Sequence, residues 1–440
     1  MRRILVVLAS LSLLFAQNLV PRNVRISGES FVQAGTNETI VLAGPNIVVK
    51  GPPYLPSVSG DTYCDDVVND DCTATGTCKS CYTFNEFDVA HIKSKGWNAI
   101  RLAVTWAGAQ PIEGDSLDPT FVRRLHDILT LTDKSGLHVI LDNHGDMTGS
   151  LGCGNGVPAW FQKKAAPELV GKPLTTGLPF SLVSSMRIEN LDGYSVCGSD
   201  EAKWSEHAGD PNYNLLNECC QAMNSPNPAA IGYSRISQKT IDYMLMEGEG
   251  RDAFVRYWQL LAQEVVAHPS AVAMELDNEP MSIRRGAMYD TWRAAAEAIN
   301  AIIPDMSVSV SDTGEGTLMP AVVTKYLGLA NLDIKADTLE WMKSSETLFY
   351  AWHWYGAPSD PAAAVKNAQA KGKKWNMPTF ATEFMDCGAW TAAESAGISH
   401  TYWHYSSYCN TGSSFANNAD HDTFGACILG WAGGNSDYSC

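Results

Sequence analysis

Two glutamates that each follow a short apolar run are the residues of this sequence best suited to chemistry. Glu279 follows the apolar run 271–276 within the segment DNEP, and Glu383 follows the run 379–382. Cleavage of a glycosidic bond requires two carboxyl groups, of which one donates a proton and the other acts as nucleophile or base. The two glutamates therefore predict hydrolysis of a glycosidic bond if the fold brings them to opposite sides of that bond.

Polar and aromatic residues at the ends of the other apolar runs supply the groups that such a pair needs. Arg101 and Tyr355 are expected to keep Glu383 ionised and aimed, through a positive charge and a hydroxyl donor. A carboxylate held in this way favours a protonated Glu279, because like charges repel. Asn278 is suited to bind the sugar 2-hydroxyl, and Trp403 offers an aromatic face on which a pyranose ring can stack. His144 and His353 are suited to bind sugar hydroxyl groups or to polarise the carboxylates.

Short apolar runs alternate with helix-like stretches along the chain, as strands and helices do in βα units. Eight runs qualify as strands, which is the number in a (β/α)8 barrel. In this α/β fold, the TIM barrel, the carboxyl ends of all strands meet at one mouth, so residues far apart in sequence converge. The predicted strands are 46–50, 98–104, 138–142, 271–276, 306–310, 348–352, 379–382 and 400–403.

Helix start and stop signals lie between the predicted strands. Residues 121–129 carry apolar side chains at helical spacing, and Gly136 is placed to end that helix in a left-handed conformation. A later helix is expected to begin at Pro361, with Ser359 or Asp360 as its N-cap. These signals agree with the alternation of strands and helices that a barrel requires.

The chain after residue 16 is predicted to form one catalytic domain, 17–440, with a long insertion after the third strand. Residues 146–250 show no sustained helical or alternating pattern. The sequence has 12 cysteines, an even number that fits pairing in an oxidising compartment. We therefore expect a disulfide-stapled insertion over the mouth of strand three. The pairing cannot be read from spacing, and the CxxC pair Cys78 and Cys81 could instead be half of a zinc knuckle.

Residues 1–16 have the anatomy of a signal peptide, because Arg2 and Arg3 precede an apolar run that ends near Ala16. The run is too short to span a bilayer. We therefore expect a secreted protein with no integral membrane segment after removal of the signal, and we expect a monomer. The formal net charge of −17 argues against a nucleic-acid partner.

Six segments resemble the signature blocks of family 5 glycoside hydrolases, in the order of that family, between residues 96 and 405. They are GWNAIRLAVTWAGAQP, LDNHGDM, MELDNEP, AWHWY, ATEF and TYWHY. The resemblance implies a (β/α)8 barrel and a retaining double displacement, with Glu279 as acid/base, Glu383 as nucleophile and no cofactor. All eight active-site positions of the family have a matching residue here, namely the two glutamates and the six supporting residues named above.

The resemblance also narrows the substrate. PNIVVKGPPYLP near the first strand and GNGVPAW after the third resemble the endoglycoceramidase and glucosylceramidase branch of the family. His144 and Gly145 depart from that branch and look more like the exo-β-glucanase branch. A β-glucosidic bond is common to both branches. The expected substrate is therefore a β-glucan, an oligosaccharide or a glycolipid of the glycosphingolipid class.

Two other functions compete with this hypothesis. Asp142, His144 and Asp146 alternate and would face one way on an extended strand, which suggests a metal-dependent hydrolase with Glu279 or His353 completing the metal shell. Such barrels usually use more histidine ligands than these strand ends offer. The other alternative is a non-catalytic carbohydrate-binding protein on a barrel scaffold. Proteins of that kind generally lack one carboxylate, whereas this chain has both.

Overall fold

A computed structural model of the chain describes the residues that form the barrel and much of its surroundings. The described residues are 20–49, 54–58, 84–182 without 147, 153, 171, 173 and 179, residue 187, 232–311 without 283, 335–355, 360–384, 387–403 and 405. The predicted signal peptide 1–16 and the cysteines of the insertion lie outside them, so both predictions stay open. Cys387 is disulfide-bonded. None of the helices in the described part is long and apolar enough to cross a membrane.

Eight parallel strands close into a barrel, which confirms the predicted fold. A separate antiparallel hairpin precedes the barrel, and the last barrel strand closes the barrel by pairing with the first. The strands in chain order are β1 Val24–Ser27, β2 Ser30–Gln33, β3 Ala43–Ile47, β4 Ala99–Ala103, β5 His138–Asp142, β6 Ala271–Glu275, β7 Ser307–Val310, β8 Leu348–Trp354, β9 Thr379–Phe384 and β10 Ser399–Tyr402.

The first barrel strand lies three residues earlier than predicted. The sequence favoured 46–50, because Gly44 and Pro45 are poor strand formers. A Cβ atom at Gly44 would lie 1.8 Å from the carbonyl oxygen of Ala99, so the close approach of β3 to β4 requires glycine at this position. Packing between two strands therefore overrides the local propensity of this segment.

Strands β8 and β9 both extend two residues further than predicted. Their pairing continues past an irregularity between Trp352 and His353, and His353 then pairs with Glu383. Both side chains therefore project from regular strand backbone, where the sequence had placed them just beyond the strand ends. A strand fixes a side chain more firmly than a loop does, which suits a site that must hold its geometry.

The hairpin of β1 and β2 covers the amino-terminal end of the barrel and was not predicted from the sequence. Phe31 of β2 packs against Phe349 and Phe380, with ring centroids 5.7 and 5.9 Å apart. These two phenylalanines belong to β8 and β9, and they join the hairpin in one buried apolar cluster with residues of β4, β5 and β6. The end of the barrel opposite the predicted mouth is therefore closed by apolar packing.

Arg22 anchors the segment that leads into the hairpin. Its guanidinium is buried, and it donates hydrogen bonds to several carbonyl oxygens at and beyond the C-terminus of the helix Glu249–Val265. The shortest of these bonds reach the carbonyl oxygens of Val266 at 2.5 Å and His268 at 2.6 Å. Carbonyl groups at a helix end lack partners within the helix, so a buried arginine satisfies them.

Helices follow the strands as the barrel topology requires. Two predicted helix ends are confirmed: Gly136 ends its helix with a left-handed φ of 72°, and the Asp360 side chain caps the helix that begins at Pro361. The helices are α1 Glu86–Ser94, α2 Trp106–Ala109, α3 Pro119–Ser135, α4 Ala159–Ala165, α5 Arg235–Leu245, α6 Glu249–Val265, α7 Arg285–Asn300, α8 Ala336–Ser344, α9 Pro361–Trp375 and α10 Cys387–Ser395.

The prediction that 146–250 lacks regular structure is wrong for α4 and α5. Phe161 of α4 packs on Trp106 with ring centroids 4.7 Å apart, so this part of the insertion joins the barrel core. Helix α5 buries Ser237 and Thr240 together with apolar residues. The Thr240 hydroxyl donates to the carbonyl oxygen of Ile236 at 2.8 Å, which satisfies it inside the packed face. The apolar residues of α5 nevertheless share one helix face, so the sequence carried a helical signal that the prediction overlooked: Ile236, Ile241, Met244 and Leu245.

Candidate active site

The two predicted glutamates meet at the mouth of the barrel. Glu383 projects from β9, and Glu279 lies four residues after the end of β6. A carboxylate oxygen of Glu279 and one of Glu383 lie within 4.8 Å of each other. In retaining glycosidases the two carboxyl groups stand roughly 5–5.5 Å apart, whereas inverting enzymes need a wider gap for a water molecule. The short separation fits a retaining pair.

Glu383 is held as an anion by groups on three sides. Arg101 Nη1 lies 3.1 Å from Oε2, and the Tyr355 hydroxyl donates to Oε1. Burial alone would raise the pKa of Glu383, but the positive charges of His353, Arg101 and His144 outweigh burial and hold that pKa below its ordinary value. Burial and the neighbouring carboxylates raise the pKa of Tyr355, so its hydroxyl keeps the proton it donates. Glu383 is therefore ready to act as a nucleophile.

His353 places a proton beside Glu279. Its Nδ1 lies 2.9 Å from Glu279 Oε1, and its Nε2 lies 3.8 Å from Glu275 Oε1. Burial opposes the charged imidazole, yet the charge of Glu383, the nearby carboxylate of Glu275 and the hydrogen bond to Glu279 raise the pKa of His353 to about 10. At neutral pH this ring is an imidazolium that donates to Glu279. The two side chains thus form one proton-carrying pair next to the nucleophile.

Glu279 occupies an unusual backbone conformation. Its φ is 43°, in the left-handed region that non-glycine residues rarely adopt, and Pro280 follows it. Backbone strain of this kind costs of order 1–3 kcal/mol and persists where the surroundings enforce it. Here the strained turn directs the Glu279 side chain towards His353 and Glu383 instead of continuing the line of β6.

Arg101 is the centre of a buried charge network that extends beyond the predicted residues. It forms a two-point ion pair with Glu275, with distances of 2.8 and 3.1 Å, and its Nη2 lies 3.0 Å from Asp142 Oδ2. Glu275 had no predicted role, and Asp142 was predicted only as a possible metal ligand. The available signal was the charged residue inside the otherwise apolar run 271–276, since a buried charge needs a partner.

Asn278 is oriented by the same network. Its Oδ1 accepts a hydrogen bond from Arg101 Nη2 at 2.9 Å, so its Nδ2 faces the other way as a donor. This Nδ2 is buried and has no hydrogen-bond partner among the described residues. A buried donor without a partner is costly, unless a ligand supplies an acceptor. The amide is therefore placed to donate to a sugar hydroxyl.

His144 and Trp403 form a second unit at the mouth. Their rings stack with centroids 5.2 Å apart and an interplanar angle of 13°. His144 Nδ1 lies 2.8 Å from Asp142 Oδ2, and its Nε2 lies 3.6 Å from Asp146 Oδ2. Burial would lower the pKa of His144, but Asp146 and Asp142 raise it to about 9. One face of Trp403 is thus covered by a cationic ring, so a sugar would stack on the opposite face.

The metal hypothesis takes a different form in the structure. Asp142 Oδ2 forms an ion pair with Arg101 and a hydrogen bond with His144 Nδ1. Among the described residues, the group of three side chains whose ligand atoms converge consists of Glu279, His353 and Glu383. A metal ion bound there would have to replace the proton that His353 donates to Glu279, and it would compete with Arg101 for Glu383.

A Glu275→Gln variant is expected to lose about 3–5 kcal/mol of the free energy of unfolding at pH 7, because it leaves Arg101 and His353 short of a buried countercharge. Burial opposes ionisation, but Arg101 and the His353 hydrogen bond lower the pKa of Glu275 from 4.5 to about 2. A carboxyl group whose pKa is lowered on folding stabilises the fold at any pH above its ordinary pKa. This stabilisation is lost as the pH falls from the ordinary pKa to the lowered pKa. In urea unfolding, the difference in the free energy of unfolding between variant and wild type is therefore expected to become smaller below pH 4.5.

Thr382→Val is the matched control for this prediction. The Thr382 hydroxyl donates to Glu275 Oε1 at 3.0 Å, so the variant removes one hydrogen bond and keeps the charge. The expected loss is about 1 kcal/mol. Equal losses in the two variants at pH 7 would show that the charge of Glu275 does not hold the network together.

Parts of the chain are similar in sequence to known glycoside hydrolases. Residues 71–169 match the family described as cellulase (glycosyl hydrolase family 5). Endoglycoceramidase of Cyanea nozakii is 27% identical over 239 residues, 54% of this chain and 38% of that protein. Ergosteryl-beta-glucosidase of Saccharomyces cerevisiae is 24% identical over 214 residues, 46% of this chain and 27% of that protein. The chain therefore matches less than two fifths of the length of these relatives.

A solved structure has the same fold. Endo-glycoceramidase II from Rhodococcus sp., in complex with a cellobiose-like imidazole, superimposes with a TM-score of 0.53 at 17% sequence identity. The match covers 87% of this chain and 75% of that one. At this identity the similarity shows the barrel fold alone.

Proposed function

Since this chain carries the barrel of a family 5 glycoside hydrolase with endoglycoceramidase features, we propose that it hydrolyses β-glucosidic bonds with retention of configuration. The observation that carries the proposal is the separation of Glu279 and Glu383, whose nearest carboxylate oxygens lie within 4.8 Å of each other. Two carboxyl groups this close fit a covalent double displacement. The charges around Glu383 and the proton beside Glu279 divide the two roles.

In the first half of the reaction, Glu383 attacks the anomeric carbon while Glu279 protonates the departing glycosidic oxygen. The C–O bond to the leaving group breaks as the bond to Glu383 forms, which gives a covalent glycosyl-enzyme. Arg101 and Tyr355 aim the attacking carboxylate, and His353 holds Glu279 Oε1 by a hydrogen bond while Glu279 gives up its own proton. Asn278 Nδ2 is placed to donate to the 2-hydroxyl, an interaction that strengthens in the transition state.

In the second half, Glu279 takes a proton from a water molecule, and that water attacks the same anomeric carbon. The bond to Glu383 breaks, and the sugar leaves with its original configuration because two inversions cancel. Glu279 thus returns to its protonated form for the next cycle. His353 stays within hydrogen-bond distance of Glu279 and moderates the charge change in both halves.

A glycosphingolipid is the proposed substrate, with cleavage between the sugar and the lipid. The names of the two curated relatives given above, endoglycoceramidase and ergosteryl-beta-glucosidase, each refer to a glycoside of a lipid. A β-glucan or an oligosaccharide is the alternative within the same chemistry. We further propose that the protein is secreted after loss of residues 1–16 and acts as a monomer, on the sequence signals described above.

The reaction is tested by incubating the protein with glucosylceramide, lactosylceramide, laminarin and a cellulose oligomer, and by following the anomeric proton of the released sugar by NMR. The β-anomer is expected to appear first, before it equilibrates with the α-anomer. First release of the α-anomer would exclude a retaining mechanism. Turnover of laminarin and the cellulose oligomer, without turnover of the two glycolipids, would show that the substrate is a β-glucan and would still support a β-glycoside hydrolase.

A metal-dependent hydrolase is the second candidate, since Glu279, His353 and Glu383 converge closely enough to hold an ion. The same assay discriminates when it is repeated after dialysis against EDTA. A paired-glutamate mechanism keeps its rate, whereas a metal mechanism loses activity and regains it with a divalent ion. His353 as a charged hydrogen-bond donor favours the paired-glutamate mechanism, because a metal ligand must be deprotonated.

A further inference from the structure

Four side chains form a hydrogen-bonded row between two barrel helices, well away from the glutamate pair. Glu264 Oε2 lies 3.1 Å from His126 Nε2, His126 Nδ1 lies 2.8 Å from His268 Nε2, and His268 Nδ1 lies 2.7 Å from Asp133 Oδ2. His126 and Asp133 belong to α3, Glu264 belongs to α6, and His268 follows α6 just before β6. The row is therefore near the amino-terminal ends of the strands, opposite the mouth.

The positions of the ring hydrogens follow from the two carboxylates at the ends of the row. An ionised carboxylate can only accept, so the hydrogens lie on His126 Nε2 and on His268 Nδ1. In neutral rings the two facing nitrogens, His126 Nδ1 and His268 Nε2, then both carry lone pairs. Two lone pairs at 2.8 Å repel each other unless an electropositive atom lies between them. That atom is either one shared proton or a metal ion.

The row has the composition of a metal site with its supporting shell. A histidine that binds a metal through one nitrogen usually donates its other N–H to a carboxylate, which orients the ring and raises its basicity. Here each histidine has such a carboxylate, and the inner nitrogens of both rings converge. Asp133 is itself held by the backbone N–H of Ser270 at 2.9 Å. We propose that His126 and His268 form a two-histidine site for a divalent transition-metal ion of the zinc class.

The geometry requires only a small movement for zinc to enter. Two nitrogens on one tetrahedral zinc, at the usual Zn–N distance of about 2.0–2.1 Å, are about 3.4 Å apart, so the rings must separate by about 0.6 Å. The His126 side chain is 38% exposed and that of Glu264 is 35% exposed. The outer half of the row can therefore adjust, and solvent can supply the remaining ligands. Glu264 and Asp133 balance the charge of a divalent ion.

Metal binding at this site would fasten α3 to α6. The two histidines are far apart in sequence, and they converge only in the folded chain, so the ion would bind the native state and not the unfolded one. Binding of that kind raises the melting temperature in proportion to the logarithm of the free metal concentration. The catalytic rate is not expected to change, because the row lies at the opposite end of the barrel from Glu279 and Glu383.

The test is isothermal titration of the purified full-length protein with ZnCl2 at pH 7.5, together with the melting temperature at 0 and 100 µM zinc. Wild type is expected to bind one more equivalent of zinc than His126→Ala. Glu264→Gln keeps both ligands but loses the carboxylate behind one of them, and it is expected to bind roughly 10- to 100-fold more weakly. His91→Gln, a substitution of a histidine outside the row on α1, is the matched control and should behave as wild type.

Identical zinc stoichiometry and identical melting shifts in wild type and His126→Ala would overturn the proposal and leave a shared proton between the rings. Wild-type affinity in Glu264→Gln would also count against it, because the supporting carboxylate would then have no effect on the ion. The melting temperature of His126→Ala without zinc reports that this variant is folded. Zinc binding is measured without any substrate, so the metal site and the proposed reaction can each fail alone.

Discussion

A Glu383→Gln variant is expected to lose about 10,000-fold or more of kcat/KM on every glycoside substrate, because the covalent step has no nucleophile. Glutamine preserves the size of the side chain and a carbonyl oxygen that can accept from Tyr355 or Arg101. The variant should therefore still fold, which near-UV circular dichroism and the melting temperature would report. Initial rates on an aryl β-glucoside measure the loss.

Covalent labelling provides the control for this prediction. A 2-fluoro β-glucoside with a good leaving group forms the glycosyl-enzyme and hydrolyses it slowly, so the intermediate accumulates on the nucleophile. Mass spectrometry of the proteolysed wild type is expected to place the label on Glu383, and the glutamine variant is expected to remain unlabelled. Turnover above about one hundredth of the wild-type rate, or a label on another residue, would mean that the nucleophile lies elsewhere.

Glu279→Ala is the second large effect, and its size depends on the leaving group. A lipid or sugar alcohol needs a proton as it departs, so kcat/KM for such substrates is expected to fall about 100- to 10,000-fold. An activated aryl group leaves without that help, and the formation of its glycosyl-enzyme should slow less than about tenfold. The measurement compares both substrate classes in variant and wild type.

Added azide distinguishes a lost acid/base from a general loss of structure. Azide is a small anion that can reach the space left by the Glu279 side chain and attack the glycosyl-enzyme without a base. With the aryl substrate, Glu279→Ala is expected to recover turnover and to produce a β-glucosyl azide. Equal slowing of both substrate classes, with no response to azide, would remove the acid/base role from Glu279.

The residues that face the mouth could be predicted because barrel topology converts sequence order into proximity. Glu279, Glu383 and the six supporting residues lie within or just after six of the predicted strands, whose carboxyl ends meet at one mouth. The structure brings them together through specific contacts, such as Arg101 with Glu383 and His353 with Glu279. Convergence of this kind depends on the fold class alone, so it needed no knowledge of side-chain geometry.

The residues that the sequence analysis missed act through pairs that only the folded chain forms. Glu275 is an ordinary charged residue until Arg101, from two strands away in the barrel, closes a two-point ion pair on it. The covered face of Trp403 likewise depends on the His144 ring, which stacks against it. Neither pairing leaves a local pattern, because the partners are widely separated in sequence.

Local propensity was also misleading where packing decided the backbone. Gly44 lies in a barrel strand although glycine is a poor strand former, because a Cβ atom at this position would collide with the backbone of Ala99. Strand propensity describes average environments, whereas the backbone at Gly44 is decided by its contact with one neighbouring strand. Strand and helix bounds therefore shifted even where the order of elements was right.

The anchoring of Arg22 sets practical limits on how this protein is produced. The guanidinium ties the first described segment to the carbonyl end of α6, only a few positions after the expected signal cleavage. An affinity tag joined directly before this segment would disturb the buried guanidinium of Arg22. A truncation that starts at the first barrel strand would remove Arg22 and would also expose Phe349 and Phe380, which pack against Phe31. Tags belong upstream behind a flexible spacer, and deletion series should start before residue 20.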